Sequence, residues 1–396
     1  MKFKINYCRE AKHKNVLSCL GWATNDEVYT IGDEQQLFKW NAKNRLPTQV
    51  AKLPDEFYPT DLHWLCSSRT STKSSGSGNN SSNKSNDFLL ISSNDGRFIM
   101  LNRNARAERI INAHVGPINA CRWSNDGTGV LTAGEDGIIK IWSKSGMLRT
   151  TIIQNESSIR IACWSSNSSA IAYCSGSFIA VKPIAANSKL IKWKAHDGSV
   201  LCLSWSTETQ NLASGGDDCR YKIWDSQGSL IYASFIEDYS ITSVEFCPKG
   251  LFLAVGGFNM LKLCHFNGWS YSNTKFSGPT VGSIYSIRWS QDGTQIAAGT
   301  GNGMLIFSHI IEQVKARGNL KAKTIGRKLI ELEDIVGRTH DTLDFPDRIV
   351  KWEIGYGYLV VATTNQVHVY NEKYTNTPLS IIEGRLDVRV LVLAKK

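Results

Sequence analysis

The sequence predicts an all-β protein that begins with a seven-bladed β-propeller and continues into a second β domain. An aromatic anchor recurs seven times, at steps of 41 to 43 residues apart from a single step of 59. Short apolar runs bounded by Gly, Asn and Asp surround the anchors, as expected for strands. Strand repeats of this length are typical of propellers, because one small sheet cannot bury its own faces. The anchors are Trp22, Trp64, Trp123, Trp164, Trp205, Phe246 and Trp289.

The single long step, between Trp64 and Trp123, contains a Ser/Asn-rich stretch at residues 70–86. Removing these 17 residues returns the step to 42. The stretch is too polar to bury a core of its own, so we expect a disordered insert within the second repeat.

The N-terminal residues 1–7 alternate apolar and polar side chains with a period of two, as an edge strand does. They precede the first repeat, so they can supply the outer strand of the seventh blade. We therefore expect the N-terminal strand to close the ring, because an open ring would leave sheet edges exposed.

A pattern of four polar or aromatic residues recurs in three of the repeats. A histidine precedes the anchor by nine residues, an acidic residue follows it by 12 or 13, and a tryptophan follows the acid by six. The acid can accept a hydrogen bond from the histidine, which reaches a Ser or Thr hydroxyl that in turn reaches the indole N–H. Such a chain of satisfied groups fixes the register of a blade. The three sets are His114, Thr132, Asp136 and Trp142; His196, Ser214, Asp218 and Trp224; and His13, Thr30, Glu34 and Trp40.

Ser or Thr, His and an acid also form hydrolase triads. A protein has one active site, whereas these sets recur at nearly the same position in separate repeats. We therefore interpret them as structural tetrads. We predict that the chain has no catalytic residue and is not an enzyme. The pattern resembles the tetrad of WD40 repeats, including the dipeptide Trp224-Asp225. The predicted fold is therefore a seven-bladed WD40 β-propeller closed by the N-terminal strand.

Composition adds no sign of site chemistry. The ten cysteines include no C-x-x-C pair, and no histidine is followed by Glu, so we expect neither a metal site nor a cofactor. Several cysteines lie beside anchors, where a free thiol acts as a small buried hydrophobe of a cytosolic protein. No apolar run is long enough to span a membrane. The net charge of +10 permits acidic partners, and an ordinary basic surface is the other interpretation.

Residues 313–396 follow a complete ring and differ from it in pattern. Residues 313–328 contain six basic residues and no acid. We interpret them as a solvated basic connector, with contact to phosphate or lipid as the alternative. Strand-like runs at 349–354, 358–362 and 366–370 then open a second, propeller-like β domain that the remaining length cannot complete. The predicted domains are 1–312, including the insert at 70–86, and 313–396.

Particular segments between and within the repeats are more specific than the WD40 pattern. They resemble the family of the eighty-kilodalton WD-repeat subunit of the intraflagellar transport B complex, and the likeness covers roughly residues 1 to 380. The segments are 53–55, 58–59, 142–149, 192–198, 241–264, 268–271 and 282–303.

The resemblance implies a non-enzymatic scaffold and protein-interaction subunit of the intraflagellar transport B particle, acting in cilium assembly. It implies a location at the cilium, the ciliary base and the cytoplasm. It also implies partners among the other subunits, including a calponin-homology-type subunit that docks on the first propeller, without membrane insertion. The resemblance does not indicate which residues bind partners.

Two other functions are compatible with the sequence. The positive charge and the basic stretch suit a WD40 reader of nucleic acid or anionic surfaces, although we do not expect nucleic acid as a partner. Tandem propellers also occur in coat-type vesicle scaffolds. Binding that weakens steeply with salt would favour the first alternative, and a Golgi location would favour the second.

Overall fold

The computed structural model describes residues 2–8, 13–54, 56–65, 88–185, 187–276, 281–311, 313–334, 339–371 and 377–383. These residues form 36 β-strands arranged in nine four-stranded sheets. The predicted insert at 70–86 lies outside the described residues. Within the part of the chain that is described, no helix is long and apolar enough to cross a membrane.

Seven of the sheets are the blades of the predicted ring, numbered in chain order with each strand list running outward from the inner strand. Blade 1 contains β2 (Cys19–Trp22), β3 (Glu27–Ile31), β4 (Gln36–Asn41) and β5 (Pro47–Lys52). Blade 2 contains β6 (Pro59–Trp64), β7 (Phe88–Ser93), β8 (Arg97–Asn102) and β9 (Ala107–Asn112). Blade 3 contains β10 (Ile118–Trp123), β11 (Gly129–Gly134), β12 (Ile138–Ser143) and β13 (Leu148–Gln154). Blade 4 contains β14 (Ile161–Trp164), β15 (Ala170–Ser175), β16 (Phe178–Pro183) and β17 (Ile191–Lys194).

Blade 5 contains β18 (Val200–Trp205), β19 (Leu212–Gly216), β20 (Tyr221–Trp224) and β21 (Leu230–Ala233). Blade 6 contains β22 (Ile241–Phe246), β23 (Phe252–Gly257), β24 (Met260–His265) and β25 (Ser270–Lys275). Blade 7 contains β26 (Ile284–Trp289), β27 (Gln295–Thr300), β28 (Leu305–Ile311) and β1 (Lys2–Tyr7). The prediction that the N-terminal strand takes the outer position of the seventh sheet is confirmed.

The chain divides into two compact units. The larger comprises Tyr7–Gln291 and Ile296–Phe307, and the smaller comprises Met1–Asn6, Asp292–Gln295 and Ser308–Lys396. The bounds of these units differ from the predicted ones, because the smaller unit includes short segments that come before residue 312 in the chain. The division into domains 1–312 and 313–396 therefore stays a prediction.

The inner strands of the larger unit pack in a closed ring. Each first strand contacts the first strand of the next blade, and β26 contacts β2. A buried cluster fills the space where the ring closes, joining Trp22 and Trp40 of blade 1 to Ala297, Leu305 and Phe307 of blade 7. The rings of Trp22 and Phe307 meet edge to face with centroids 6.1 Å apart. The ring is therefore closed by apolar packing between its first and last repeats.

Burial follows the order of the strands in each blade. In blade 3, every residue of β11 is buried, whereas the outer strand β13 is mostly exposed. The same contrast separates β7 from β9 in blade 2. The second strand has a strand on each side and a neighbouring blade against each face. This explains why the second strands are nearly continuous apolar runs rather than alternating ones.

Three tryptophan anchors join successive blades through the indole N–H. Each donates to a backbone carbonyl of the preceding blade, and the acceptor residue comes immediately before that blade's own anchor. The bonds are Trp22 Nε1 to Arg288 O at 2.8 Å, Trp164 Nε1 to Arg122 O at 3.2 Å, and Trp289 Nε1 to Glu245 O at 2.9 Å. The bond from Trp22 crosses the junction where the ring closes.

The smaller unit contains two further four-stranded sheets after blade 7. One contains β29 (Val314–Arg317), β30 (Leu320–Thr324), β31 (Leu329–Asp334) and β32 (Thr339–Asp344). The other contains β33 (Ile349–Gly355), β34 (Tyr358–Thr363), β35 (Gln366–Asn371) and β36 (Ser380–Glu383). An apolar cluster that includes Ile330, Phe345, Trp352, Leu359 and Tyr370 packs the two sheets together.

The interpretation of residues 313–328 as a solvated connector is wrong, because most of them lie in β29 and β30. In β30 the apolar residues Leu320 and Ala322 are buried. Two of the lysines lie close to acids of other strands: Lys315 Nζ lies 2.6 Å from Glu353 Oε2, and Lys321 Nζ lies 2.7 Å from Glu333 Oε2. The acids come from later in the chain, so the stretch looks uniformly basic only in the linear sequence.

Replacing Trp289 by Phe removes the N–H that reaches blade 6 and keeps most of the apolar ring. Phe246 shows that a phenyl anchor fits this fold. We expect the free energy of unfolding to fall by about 1–2 kcal/mol, since a buried carbonyl loses a donor and some packing is lost. Chemical denaturation measures this change.

The matched control is Trp205→Phe, because the Trp205 indole bonds instead to Gln210 O of its own blade at an exposed position, 3.1 Å away. Equal losses in the two variants would contradict a role for the anchor bond between blades.

Candidate functional site

The structure brings together the four side chains of each predicted tetrad. In blade 3, His114 Nδ1 lies 3.0 Å from Asp136, His114 Nε2 lies 2.8 Å from Thr132 Oγ1, and Trp142 Nε1 donates to the same hydroxyl at 2.8 Å. His114 comes just before the first strand, and Asp136 lies in the turn between the second and third strands. Both groups therefore lie at one end of the ring, which we call the tetrad end.

The other two tetrads repeat this geometry. In blade 5, His196 lies 2.8 Å from both Asp218 and Ser214, and the Trp224 indole donates to Ser214 Oγ at 2.9 Å. In blade 1, His13 bonds to Glu34 and to Thr30, and Trp40 donates to Thr30 Oγ1 at 2.7 Å. The longer Glu34 side chain makes up for the turn that is one residue shorter.

One proton arrangement satisfies each chain of bonds. A neutral histidine donates Nδ1–H to the carboxylate and accepts the Ser or Thr hydroxyl proton at Nε2, while that hydroxyl oxygen accepts the indole N–H. Burial lowers the pKa of His114 and of His196, and the hydrogen bond to the carboxylate opposes this shift only in part. The histidine side chains have no exposed surface. The hydroxyl is thus enclosed within the blade, where it donates its proton to the histidine and accepts the indole N–H.

The sequence analysis did not identify a glycine that lies beside each tetrad. A Cβ on Gly216 would lie 2.5 Å from His196 Nδ1 and 2.7 Å from Asp218 Oδ1. The corresponding distances to the histidine and the acid are 2.7 and 2.6 Å for Gly134, and 3.1 and 2.7 Å for Gly32. The sequence did contain the signal, because in all three repeats a glycine stands two residues before the acid.

The inner strands surround a central cavity of about 590 Å³. Four charged residues from different blades form an ion-pair network on its wall, joining blades 2, 3, 6 and 7. Arg122 Nη1 lies 2.9 Å from Asp61 Oδ1, while Arg288 lies 3.7 Å from Asp61 and 3.1 Å from Glu245. Asp61 also accepts the Cys121 amide at 3.0 Å. The network links inner strands across the ring and balances two positive charges with two negative ones.

The ion-pair network of the cavity was not predicted from the sequence either. Arg122, Glu245 and Arg288 each stand immediately before an anchor, so they point away from the anchor's side of the strand and towards the axis. A β-bulge follows the first residue of the inner strand in blades 2, 3, 5, 6 and 7, and such a bulge re-aims the side chains after it. The alternation predicts which side chains face inward, but it does not say which blades supply opposite charges.

An exposed apolar loop lies at the tetrad end between blades 5 and 6. This apolar loop, residues 235–239, leaves Phe235 89% and Ile236 67% exposed. The ring centroids of Tyr239 and Phe258 lie 4.8 Å apart, and Phe258 belongs to a turn of blade 6. Such large apolar groups at adjoining exposed positions mark interaction surfaces more often than isolated ones do.

Acidic residues hold the apolar loop against blade 6. Glu237 pairs with Lys262, and Asp238 Oδ2 lies 2.7 Å from Lys275 Nζ. The Glu237 amide also donates to Cys219 O at 2.8 Å. The loop is thereby fixed in a conformation that presents Phe235 and Ile236 outward.

Among the described residues, no group of three or more His, Cys, Asp or Glu side chains is placed to hold a metal ion. The nine described cysteines are free thiols, seven of them buried. Burial raises the pKa of Cys19 to about 12, so this thiol stays protonated and packs as an apolar group.

Removing the carboxylate of Asp218 leaves the buried His196 Nδ1–H without its acceptor. We expect Asp218→Ala to lower the free energy of unfolding by about 1–3 kcal/mol. The control is Asp197→Ala, because the Asp197 side chain is 88% exposed and its loss is expected to change stability by at most about 0.5 kcal/mol. Unchanged denaturation of the Asp218 variant would show that the tetrad does not stabilise blade 5.

The lowered pKa values of His114 and His196 predict that stability depends on pH. The unfolded state takes up protons near the ordinary value of 6.5, and the folded state does so only at lower pH. The stabilisation is therefore complete above pH 6.5 and is lost as the pH falls from there towards the folded pKa. Each histidine contributes a slope of at most about 1.4 kcal/mol per pH unit. Denaturant unfolding at a series of pH values measures the slope, and His196→Gln should reduce it. An identical slope in that variant would contradict the assignment.

Comparisons with known proteins agree with these features. The family model described as WD domain, G-beta repeat, matches residues 106–143, 187–225 and 270–307, and the first two matches contain the tetrads of blades 3 and 5. The family model of the IFT80 second beta-propeller matches residues 312–396.

Two curated relatives are called intraflagellar transport protein 80 homolog, from Mus musculus and Rattus norvegicus. Each is 39% identical over 379 residues, which cover 96% of this chain and 47% of the relative. The chain therefore spans about half the length of these relatives. A more distant relative, the APC/C activator protein CDC20 of Saccharomyces cerevisiae, is 28% identical over 46% of this chain and 31% of its own length. This chain thus carries WD40 repeats, and it is similar over nearly its whole length to intraflagellar transport protein 80 homologs.

Proposed function

We propose that this chain is a non-enzymatic scaffold subunit of an intraflagellar transport B particle and acts in cilium assembly. The observation that carries the proposal is the 39% identity to the intraflagellar transport protein 80 homologs over 96% of the chain. The match of residues 312–396 to the IFT80 second beta-propeller supports it independently of the WD40 pattern. The location that follows is the cilium, with the ciliary base and the cytoplasm as sites of assembly.

The tetrads support a role without catalysis. In each tetrad, the only hydroxyl near a histidine already accepts an indole N–H and is buried within its blade. A serine or threonine in this position cannot approach a substrate without unpairing the tryptophan. The four charged groups of the cavity network are likewise paired with one another. Their geometry suits the joining of blades rather than general acid–base catalysis.

The apolar loop is the surface that we propose for the partner subunit, which the resemblance suggests is of the calponin-homology type. Phe235 and Ile236 supply apolar anchors of the kind that carry most of the binding energy in protein interfaces. The salt bridges of Glu237 and Asp238 hold the loop in place before binding, which reduces the entropy lost on association.

A pull-down of the tagged full chain from a ciliated-cell lysate tests the proposal. We expect recovery of intraflagellar transport B subunits that persists at high salt, because the proposed contact is apolar. The variant Phe235→Asp should reduce this recovery about tenfold or more, as for a central interface residue. Quantitative mass spectrometry at low and high salt gives the readout.

Val115→Asp is the matched control. Val115 is 90% exposed at the tetrad end, but it lies in blade 3 rather than beside the apolar loop. Failure of the unmodified chain to recover these subunits would overturn the proposed function. Full recovery with Phe235→Asp would leave the scaffold function standing but would exclude the apolar loop as its docking surface.

A further inference from the structure

We propose that the end of the ring opposite the tetrads binds the surface of an anionic phospholipid membrane. The strands of a blade run antiparallel, so successive turns lie at opposite ends of the blade. The turn between the second and third strands lies at the tetrad end, and the turn between the third and fourth strands therefore lies at the opposite end. In blades 1 to 4 these turns, together with the first two residues of β13, form what we call the basic rim, residues 42–46, 103–106, 144–149, 184–185 and 187–190. The inference rests on the charge and the apolar content of this rim, and it is independent of the proposed function.

The turns of the basic rim contain seven Lys and Arg residues and no acid. The sequence around the turns of blades 3 and 4 is basic as well. Residues 140–194 contain eight Lys and Arg residues and a single acid, Glu156. Residues 195–245 show the reverse, with eight acids and two basic residues. The net charge of +10 is thus unevenly distributed, and blades 3 and 4 carry an excess that an ordinary mixed surface does not have.

Several cations of the rim have no acidic partner within the described residues. Arg106, Arg149 and Lys189 are exposed and make no salt bridge there. By contrast, Lys43 pairs with Asp26 at 3.3 Å. Arg109 donates to Ser145 O across the junction of blades 2 and 3, which places the outer strand of blade 2 next to the turn of blade 3. The unpaired charges are free to attract an anionic surface.

Exposed aliphatic side chains stand among these cations. Met147 is 70% exposed and Leu46 is 63% exposed, while Leu148 and Leu190 are about half exposed. The turn that carries Met147 is well ordered by hydrogen bonds, since the Met147 amide donates to Ser143 Oγ at 3.0 Å and Ser143 N donates to Met147 O at 2.8 Å. The turn therefore presents its apolar tip outward instead of folding it back onto the blade.

The combination favours a lipid surface over nucleic acid. Single-stranded nucleic acid is bound by aromatic side chains that stack on bases, and the exposed large apolar residues of the basic rim are aliphatic: Leu46, Met147, Leu148 and Leu190. Aliphatic tips flanked by Lys and Arg instead suit the boundary between headgroups and acyl chains, where apolar groups insert and cations meet phosphate. The structure thus fits peripheral binding, with the turn tips shallowly inserted.

Co-sedimentation of the full chain with vesicles tests the proposal. We expect binding to phosphatidylcholine vesicles that contain phosphatidylserine, weak binding to phosphatidylcholine alone, and loss of binding at high salt. The triple variant Arg106→Glu, Arg149→Glu, Lys189→Glu should reduce the partition coefficient by roughly fivefold or more for each charge. The double variant Met147→Ser, Leu190→Ser should reduce it as well, although its charge is unchanged.

The matched control reverses three exposed basic residues at the tetrad end that lie outside the salt bridges of the apolar loop: Lys14→Glu, Arg160→Glu, Lys194→Glu. This variant has the same net charge as the rim variant. It should still bind the vesicles if the affinity depends on where the reversed charges lie and not on the net charge. Circular dichroism and thermal unfolding establish that all variants are folded. Equal loss in the rim and control variants, or unchanged binding by the Met147/Leu190 variant, would overturn the proposal. The absence of binding to phosphatidylserine vesicles would also overturn it, and rim-dependent binding of an RNA oligonucleotide or of polyglutamate would then identify a different acidic ligand.

Discussion

Apolar packing between neighbouring blades holds this protein together. A four-stranded sheet with two apolar faces is stable only when both faces are covered, and in this chain each blade is covered by the blades on either side. The cluster around Trp22, Trp40 and Phe307 supplies that cover where the first and last blades meet. Without this junction, two blades would each expose an apolar face and the N-terminal strand would have no ring to close.

Polar groups then fix a geometry that apolar packing alone leaves loose. The tetrads set the register within blades 1, 3 and 5, three of the anchor indoles bond successive blades, and the Asp61 network ties inner strands across the cavity. All of these groups are engaged inside the ring. The apolar loop at one end of the ring and the basic rim at the other present exposed side chains that none of these interactions uses.

Much of this architecture could be predicted from the sequence, because the fold repeats and its rules are local. The anchors and the alternation of residues 1–7 were enough to give seven blades and a closing strand. The strands β29 and β30 were missed because their lysines are neutralised by acids that come later in the chain, such as Glu333 and Glu353. The cavity network and the apolar loop were missed for a related reason. Periodicity shows which way a side chain points, but not which other blade or loop it meets in space.

The closed ring is tested most directly by native-state hydrogen exchange at increasing denaturant. In a closed ring, the amides of β2 and β26 at the junction should open with the same free energy as those of β11 in blade 3, because no blade can leave without exposing both neighbours. Exchange of β2 and β26 through a separate opening of much lower free energy would contradict the account. It would show that the first and last blades are only loosely joined and that the seven sheets behave as an open array.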